Sequence, residues 1–258
     1  MKPAILIHGP TASGKSALSV ALAKRLGGEV INADSMQVYR ELRVISARPA
    51  AAEMDGVEHH LFGHVAASER YSTGKWLDDV KPVISKVQRR GKVPIIIGGT
   101  GLYHLALIEG LSEIPPVPDD IRGDVAEIFK ADGVPGLREK LEQVDRETAE
   151  RLGEGDKQRL SRALEVWFAT GKSISSFQGK KGRPILGEGE WMGVALTPTR
   201  SRLYARIDRR FEGMLMEGAM EEARGLASQG LPDDLPAMKA HGIPWLIAYL
   251  RGELSAEA

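Results

Sequence analysis

The sequence predicts an α/β fold in which a parallel sheet flanked by helices is interrupted by a mostly helical insertion. Three observations carry this. From Ala4 to Leu111, short apolar runs alternate with segments of helical spacing, the pattern of strands joined by crossover helices. The run Val93–Ile97 is apolar throughout, as a strand buried on both faces must be. From Asp119 to Thr170 the pattern turns helical with no strand signal, and proline-rich Ile114–Pro118 and glycine- and lysine-rich Gly179–Gly189 bracket it.

The elements follow in order. Ala4–His8 is an apolar run ending at a glycine, a buried strand. Lys15–Leu26 places Ala17, Leu18, Ala21, Leu22 and Leu26 at helical spacing, and Gly27-Gly28 stops it. Glu29–Ala33 reads as a second strand running into Asp34, and Tyr71–Arg90 as a helix that tolerates Pro82. Val93–Ile97 is the third strand, and the turn Gly98-Gly99-Thr100-Gly101 opens a helix running through Leu111. Beyond the helical stretch, Gly179–Gly189 reads as a mobile loop and Trp191–Thr197 as a strand. Arg200–Gly230 is mostly helical, and Ala237–Leu254 is helical with a break at Gly242-Ile243-Pro244. The expected organisation is a core formed by residues 1–114 and 190–258 with an insertion at 115–189.

Composition excludes several classes. The chain has 258 residues, 42% of them hydrophobic, with 35 Lys+Arg against 35 Asp+Glu, which is globular and not disordered usage. Without cysteine there is no disulfide, thiolate zinc site, iron–sulfur cluster or Cys nucleophile. The apolar runs are too short to span a bilayer, and the N-terminus reads as a strand entering a glycine loop and not as a signal peptide. A cytoplasmic protein with no membrane partner is expected. The neutral total hides an asymmetry: Arg151–Arg210 holds thirteen Lys or Arg and six Asp or Glu, which fits an anionic partner or a solvated face.

Gly9-Pro10-Thr11-Ala12-Ser13-Gly14-Lys15-Ser16 fits G-x-x-x-x-G-K-[ST] between a predicted strand and a predicted helix. Successive backbone N–H groups of such a loop point at phosphate oxygens, Lys15 adds a point charge, and Ser16 is placed to ligate Mg²⁺. The core is therefore expected to be P-loop NTPase-like and to bind a nucleotide or another phosphate ester. An ordinary NTPase also carries an acid at the end of an apolar strand to help hold the metal. Here the most apolar strand ends Ile97-Gly98-Gly99-Thr100. The acid at a strand end is Asp34, either facing a nucleophile or capping a helix.

Further segments stand in order with this loop: Asn32-Ala33-Asp34-Ser35-Met36-Gln37-Val38-Tyr39, His59-His60-Leu61, Gly98–Tyr103, Asp156–Glu165 and Arg206–Phe211. Together they resemble the tRNA dimethylallyltransferases, the isopentenyl-tRNA transferase family, over nearly the whole chain. The resemblance implies transfer of a dimethylallyl group from dimethylallyl diphosphate to N6 of the adenosine just 3′ of the anticodon, with Mg²⁺ on Ser16. The P-loop, Gly9 to Ser16, would hold the diphosphate leaving group, which explains a phosphate loop without the usual second acid. Arg206 and Arg210 would close over that diphosphate; read alone, they could pair with Asp208 and Glu212. Asp34 would act as base, and Thr100 would line the channel where donor and adenine meet, or cap the next helix.

By the same resemblance Asp34, Ser35, Met36, Gln37 and Thr100 would touch the flipped nucleotide. Arg122, Gln158, Arg159, Leu160, Ser161 and Arg162 would contact the anticodon stem–loop from the insertion. Read alone, Arg159 and Arg162 suit a solvated helical face. His59 and His60 read as structural or substrate-adjacent, and Trp167, Phe168, Met214, Met216 and Met220 as packing residues. The family also implies a further basic, aromatic-rich helix after Ser255, which this sequence does not carry, and a Gly-Tyr-Arg stretch where Gly242-Ile243-Pro244 stands. A monomer is expected. The alternative class is a small-molecule kinase using ATP at the same loop; it leaves Gln158–Arg162 unexplained.

Overall fold

The computed structural model describes residues 2–179 and 181–255. The chain divides into two compact units, residues 1–108 with 184–258 and residues 109–183. The division thus falls about one turn of helix before the proline-rich segment, and Pro184–Gly189 belongs with the first unit.

The first unit begins with β1 (Ala4–His8), α1 (Lys15–Leu26), β2 (Gly28–Asn32), α2 (Ala51–Met54), β3 (His59–His60), α3 (Thr73–Arg89), β4 (Val93–Gly98) and α4 (Gly101–Glu109). The second unit contains α5 (Asp119–Val144), α6 (Arg146–Arg151), α7 (Lys157–Thr170) and α8 (Ser175–Gln178). The chain then returns through β5 (Trp191–Ala195), α9 (Arg200–Met216), α10 (Ala219–Ala227), a 3₁₀ turn (Ala237–Lys239) and α11 (Ile243–Leu250).

The five strands form one parallel sheet in the order β3-β2-β4-β1-β5. The central strand β4 is buried along its length, because helices cover both faces. One layer packs Trp76, Val80, Ile84 and Val87 of α3 on Ile31 and Ile96; the other packs Ala23 of α1 on Ile7, Val30 and Ile95. β3 was not expected. Its two residues are too short to show a period, and His60 is fixed instead by Nε2 at 2.7 Å from Glu29 Oε2. Glu29, 2% exposed, also binds Arg90 and Lys92. Burial would raise its pKa, but Arg90, His60 and Lys92 prevail and hold it at about 2.

Trp76 fastens the sheet to its helices near the strand ends. It is fully buried, its Nε1 donates to Asn32 O at 2.9 Å, and its ring stacks on Tyr103 with centroids 4.3 Å apart. Pro82 sits inside α3 as the sequence allowed. The 237–254 region is less helical than expected, because Gly242 takes φ 97° and α11 starts only at Ile243.

In the second unit, Leu137 and Leu141 of α5 meet Leu160, Ala163 and Leu164 of α7 in a separate core. α5 breaks at Gly133 (φ 64°), and Pro135 opens its second half. The Arg138 guanidinium donates to Ala149 O and Leu152 O, both at 2.8 Å, closing the C-terminus of α6. Asp156 caps α7 by accepting from Arg159 N at 3.1 Å. Within Gly179–Gly189, Lys180 lies outside the described residues. Its neighbours are tied down: Lys181 bridges to Ser112, and Gly182 N donates to Leu111 O at 2.8 Å.

Candidate active site

The site begins where β1 ends. Ala12 (φ 60°) and Gly14 (φ 95°) take left-handed conformations that curl the loop into a nest of N–H groups before α1. Gly9 is needed for packing, since a Cβ there would lie 2.9 Å from Leu196 O. Lys15 Nζ donates to Gly9 O at 2.8 Å and Pro10 O at 2.7 Å, folded over its own loop. Burial pushes the Lys15 pKa down, Asp34 opposes this, and Arg210 adds to it.

Asp34 reaches the same place from β2. Asn32 fixes its backbone: the Asn32 amide donates to Asp34 O at 3.0 Å, and Asn32 Oδ1 accepts from Asp34 N at 2.9 Å. Asp34 Oδ1 accepts from Met36 N at 2.9 Å and Gln37 N at 3.3 Å. Capping therefore uses Oδ1 alone, and Oδ2 has no protein partner among the described residues. β4 closes in because its end lacks side chains. A Cβ on Gly98 would fall 1.9 Å from Ala33 O, and one on Gly99 would touch Asp34 Oδ2 at 3.5 Å. That approach sets Thr100 beside Ser35. Thr100 Oγ1 accepts from Ser35 N at 2.9 Å and donates to Ser35 Oγ at 3.2 Å.

A cleft of about 500 Å³ joins the phosphate loop, Asp34 and Gly98, while Ser35 and Thr100 lie outside its lining. Thr11–Ser16, Asp34, Gln37, Arg209 and Arg210 line it, together with a wall made by Val44, Ser46, Ala47, Arg48, Pro49 and Glu53. Burial lowers the Arg210 pKa, against which Glu53 and Asp34 act.

Several expected residues stand elsewhere. Arg206 is exposed, outside the lining, and its Nη1 donates to Ala12 O at 3.4 Å on the loop's rim. Neither Arg206 nor Arg210 pairs with Asp208 or Glu212. Met36 is half-buried and packs against the core cluster that contains Val38 and Ile243. Met214 lines the cleft and Met216 is 87% exposed, so neither is the simple packing residue expected. Trp167 is half-buried and outside the second unit's core, against which Phe168 packs.

In the second unit, the Leu160 side chain is 0% exposed and offers nothing to a ligand. Gln158 and Arg159 are exposed, and Ser161 and Arg162 half-buried. Arg122 Nε donates to Val117 O at 3.3 Å and lies 3.7 Å from Asp119. Missed by the sequence reading are the 44–53 wall and Arg209. The wall has no period and little regular structure; its one sign was a cation, Arg48, set among small residues.

The family described as IPP transferase matches residues 37–258, and isopentenyl transferase matches residues 2–67. The chain belongs to the IPP transferase family. A tRNA dimethylallyltransferase of Hyphomonas neptunium is 62% identical, across 100% of this chain and 81% of that protein. One from a Bradyrhizobium species is 51% identical, across 98% and 83%. Among solved structures, the tRNA isopentenylpyrophosphate transferase of Bacillus halodurans superposes with a TM-score of 0.66 at 36% identity, covering 100% of this chain and 80% of that one. A eukaryotic dimethylallyltransferase acting on tRNA gives 0.76 at 28% identity, covering 98% and 65%. These family members carry the P-loop NTPase-like fold expected from Gly9–Ser16.

Proposed function

We propose that the chain transfers the dimethylallyl group of dimethylallyl diphosphate to N6 of the adenosine 3′ to the anticodon of tRNA, releasing diphosphate. The observation that carries this is one cleft lined by both an intact phosphate loop and the Asp34 carboxylate. Each relative named above is a tRNA transferase, which favours this reading over an ATP-dependent kinase.

The phosphate loop's N–H groups, Lys15 and Arg210 hold the diphosphate and stabilise charge as it leaves. Arg206 steadies the loop through Ala12 O. The allylic C–O bond breaks with its electron pair going to diphosphate, and the adenine N6 lone pair forms the new C–N bond. The N6 proton passes to Asp34 Oδ2, the oxygen not used in capping. Thr100, locked to Ser35, and Gln37 border the base, which must leave its stack to react.

The residues present suit Mg²⁺. The Ser16 hydroxyl has no protein partner among the described residues, and it lines the cleft with Asp34; hard oxygen donors are what this ion takes. No group of three His, Cys, Asp or Glu that could cage an ion occurs among the described residues, so the diphosphate and water would complete the ligands. When bound, the ion neutralises charge on the leaving group.

Residues 109–183 grip the anticodon stem–loop through Arg122, Gln158, Arg159, Ser161 and Arg162, a largely electrostatic contact weakened by salt. No helix among the described residues is long and apolar enough to cross a membrane, and we read the protein as a cytoplasmic monomer. The test incubates it with radiolabelled dimethylallyl diphosphate, Mg²⁺ and unmodified tRNA, with an ATP-hydrolysis control. Label in the tRNA without ATP turnover is expected; ATP turnover without label overturns the reading.

A further inference from the structure

The segment 43–49, which carries most of the cleft wall, is irregular in backbone yet hydrogen-bonded along its length. Glu222, on α10, does not line the cleft. Its Oε2 accepts from Arg43 N and Val44 N, both at 2.8 Å, and its Oε1 from Ile45 N at 3.0 Å. Three successive backbone donors converging on one carboxylate form a nest, and bonds to an ionised acceptor are the stronger kind. The wall's other end is tied by Gln37, whose Nε2 donates to Ser46 O at 2.9 Å and Ala47 O at 3.1 Å. Arg48 donates to Tyr39 O at 3.1 Å and Arg40 O at 3.2 Å. Between these ties Ala47 sits at φ 49°, a left-handed conformation unfavourable for a residue with a Cβ. Such a conformation persists where the surroundings over-determine it.

We propose that Glu222 is a positioning residue for the donor: its carboxylate sets the backbone of 43–45, and through it the face that Val44, Ala47 and Pro49 present to the cleft. This rests on the transferase reading. With the diphosphate on the phosphate loop, the five-carbon chain occupies the same cleft, whose apolar lining includes these three side chains. Gln37, tied into the same wall, couples it to the Asp34 turn.

The test measures affinity by calorimetry for dimethylallyl diphosphate and for inorganic diphosphate, in wild type, Glu222→Ala and Glu222→Gln. Gln keeps the shape but turns an NH₂ group toward backbone donors. In the wild type the allyl chain should tighten binding about tenfold over inorganic diphosphate, the low end of the scale for one buried methylene. Both variants should lose most of that difference and keep inorganic diphosphate affinity within about twofold. KM for the donor should rise about tenfold with kcat changed less than about threefold, as when uniform binding is removed. Amide exchange at Arg43, Val44 and Ile45 should accelerate while that of β4 is unchanged.

Equal weakening of both ligands, or an unchanged allyl increment in a variant with exposed wall amides, overturns the proposal. If Glu222→Ala does not fold, Glu222→Gln decides it. A wild type that binds the donor but labels no tRNA sinks the transferase reading alone, since the calorimetric difference and the amide exchange still judge the role of Glu222.

Discussion

Arg206 and Arg210 on α9 and Arg159 and Arg162 on α7 are guanidinium groups on helices with acids within reach, yet the two helices use them differently. On α7, Arg159 lies 3.5 Å from Asp156 and Arg162 3.2 Å from Glu165. These are partly exposed i,i+3 pairs, worth a few tenths of a kcal/mol and easily exchanged for a phosphate. On α9, Arg206 reaches Ala12 O instead, and Arg210 turns into the cleft toward Glu53 and Asp34. The lesson is that local spacing assigns an arginine to its helical neighbour only where nothing larger competes. In the first unit the Ala12 carbonyl and the carboxylates of Glu53 and Asp34 compete; on α7 the pairs meet solvent.

The difference can be broken hardest at the cleft. Lys15→Ala should lower kcat/KM about a thousandfold, the scale of losing a preorganised charge at a leaving group. The fold should survive, because the Lys15 hydrogen bonds go only to Gly9 O and Pro10 O; steady-state kinetics with thermal unfolding checks both.

Asp34→Asn should cost about a hundredfold in kcat. Asn retains an Oδ1 for Met36 N and Gln37 N, so the turn stays and only the proton acceptor goes. Activity near wild type would reduce Asp34 to a cap.

Glu29 is the counter-case, an ion cluster where burial makes pairing count. Its folded pKa of about 2 lies below its ordinary value. Its contribution is therefore complete above the ordinary carboxylate range and is lost as pH falls toward 2. Urea unfolding from pH 6 downward should show stability falling by about 2–3 kcal/mol from this residue, and Glu29→Gln should flatten that part of the profile.

The smallest effect is expected on α7. Arg159→Ala with Arg162→Ala should weaken tRNA binding several-fold, lower the salt slope by about one to two, and leave the unfolding midpoint nearly unchanged. A large stability loss would mean that the α7 pairs matter more than their exposure indicates.

Where structure is written in consecutive residues, the sequence was a sufficient guide. The phosphate loop was legible because its nest needs glycines and a lysine at fixed spacing. The strand before it and the helix after it begin and end where the pattern put them. Asp34 was legible as an acid at a strand end, and the helical character of 119–170 from its period. The wall at 43–49 was not, since what fixes it is a carboxylate nearly 180 residues away. Nor was the division of Asp34 into a capping and a free oxygen, which depends on Asn32 and Gly98 bringing two strand ends together.

By itself the sequence determined the α/β core, the helical stretch 119–170, and the places of the phosphate-loop motif and of an acid near a strand end, because turns, periods and residue types act over a few neighbours. Only the tertiary structure decided which arginines of α9 line the cleft, that the Leu160 side chain is buried, and that Gln37 and Glu222 hold the wall. Those outcomes are settled by competition between groups far apart in the chain. The winner there is whichever contact the packed sheet and helices bring within hydrogen-bond reach.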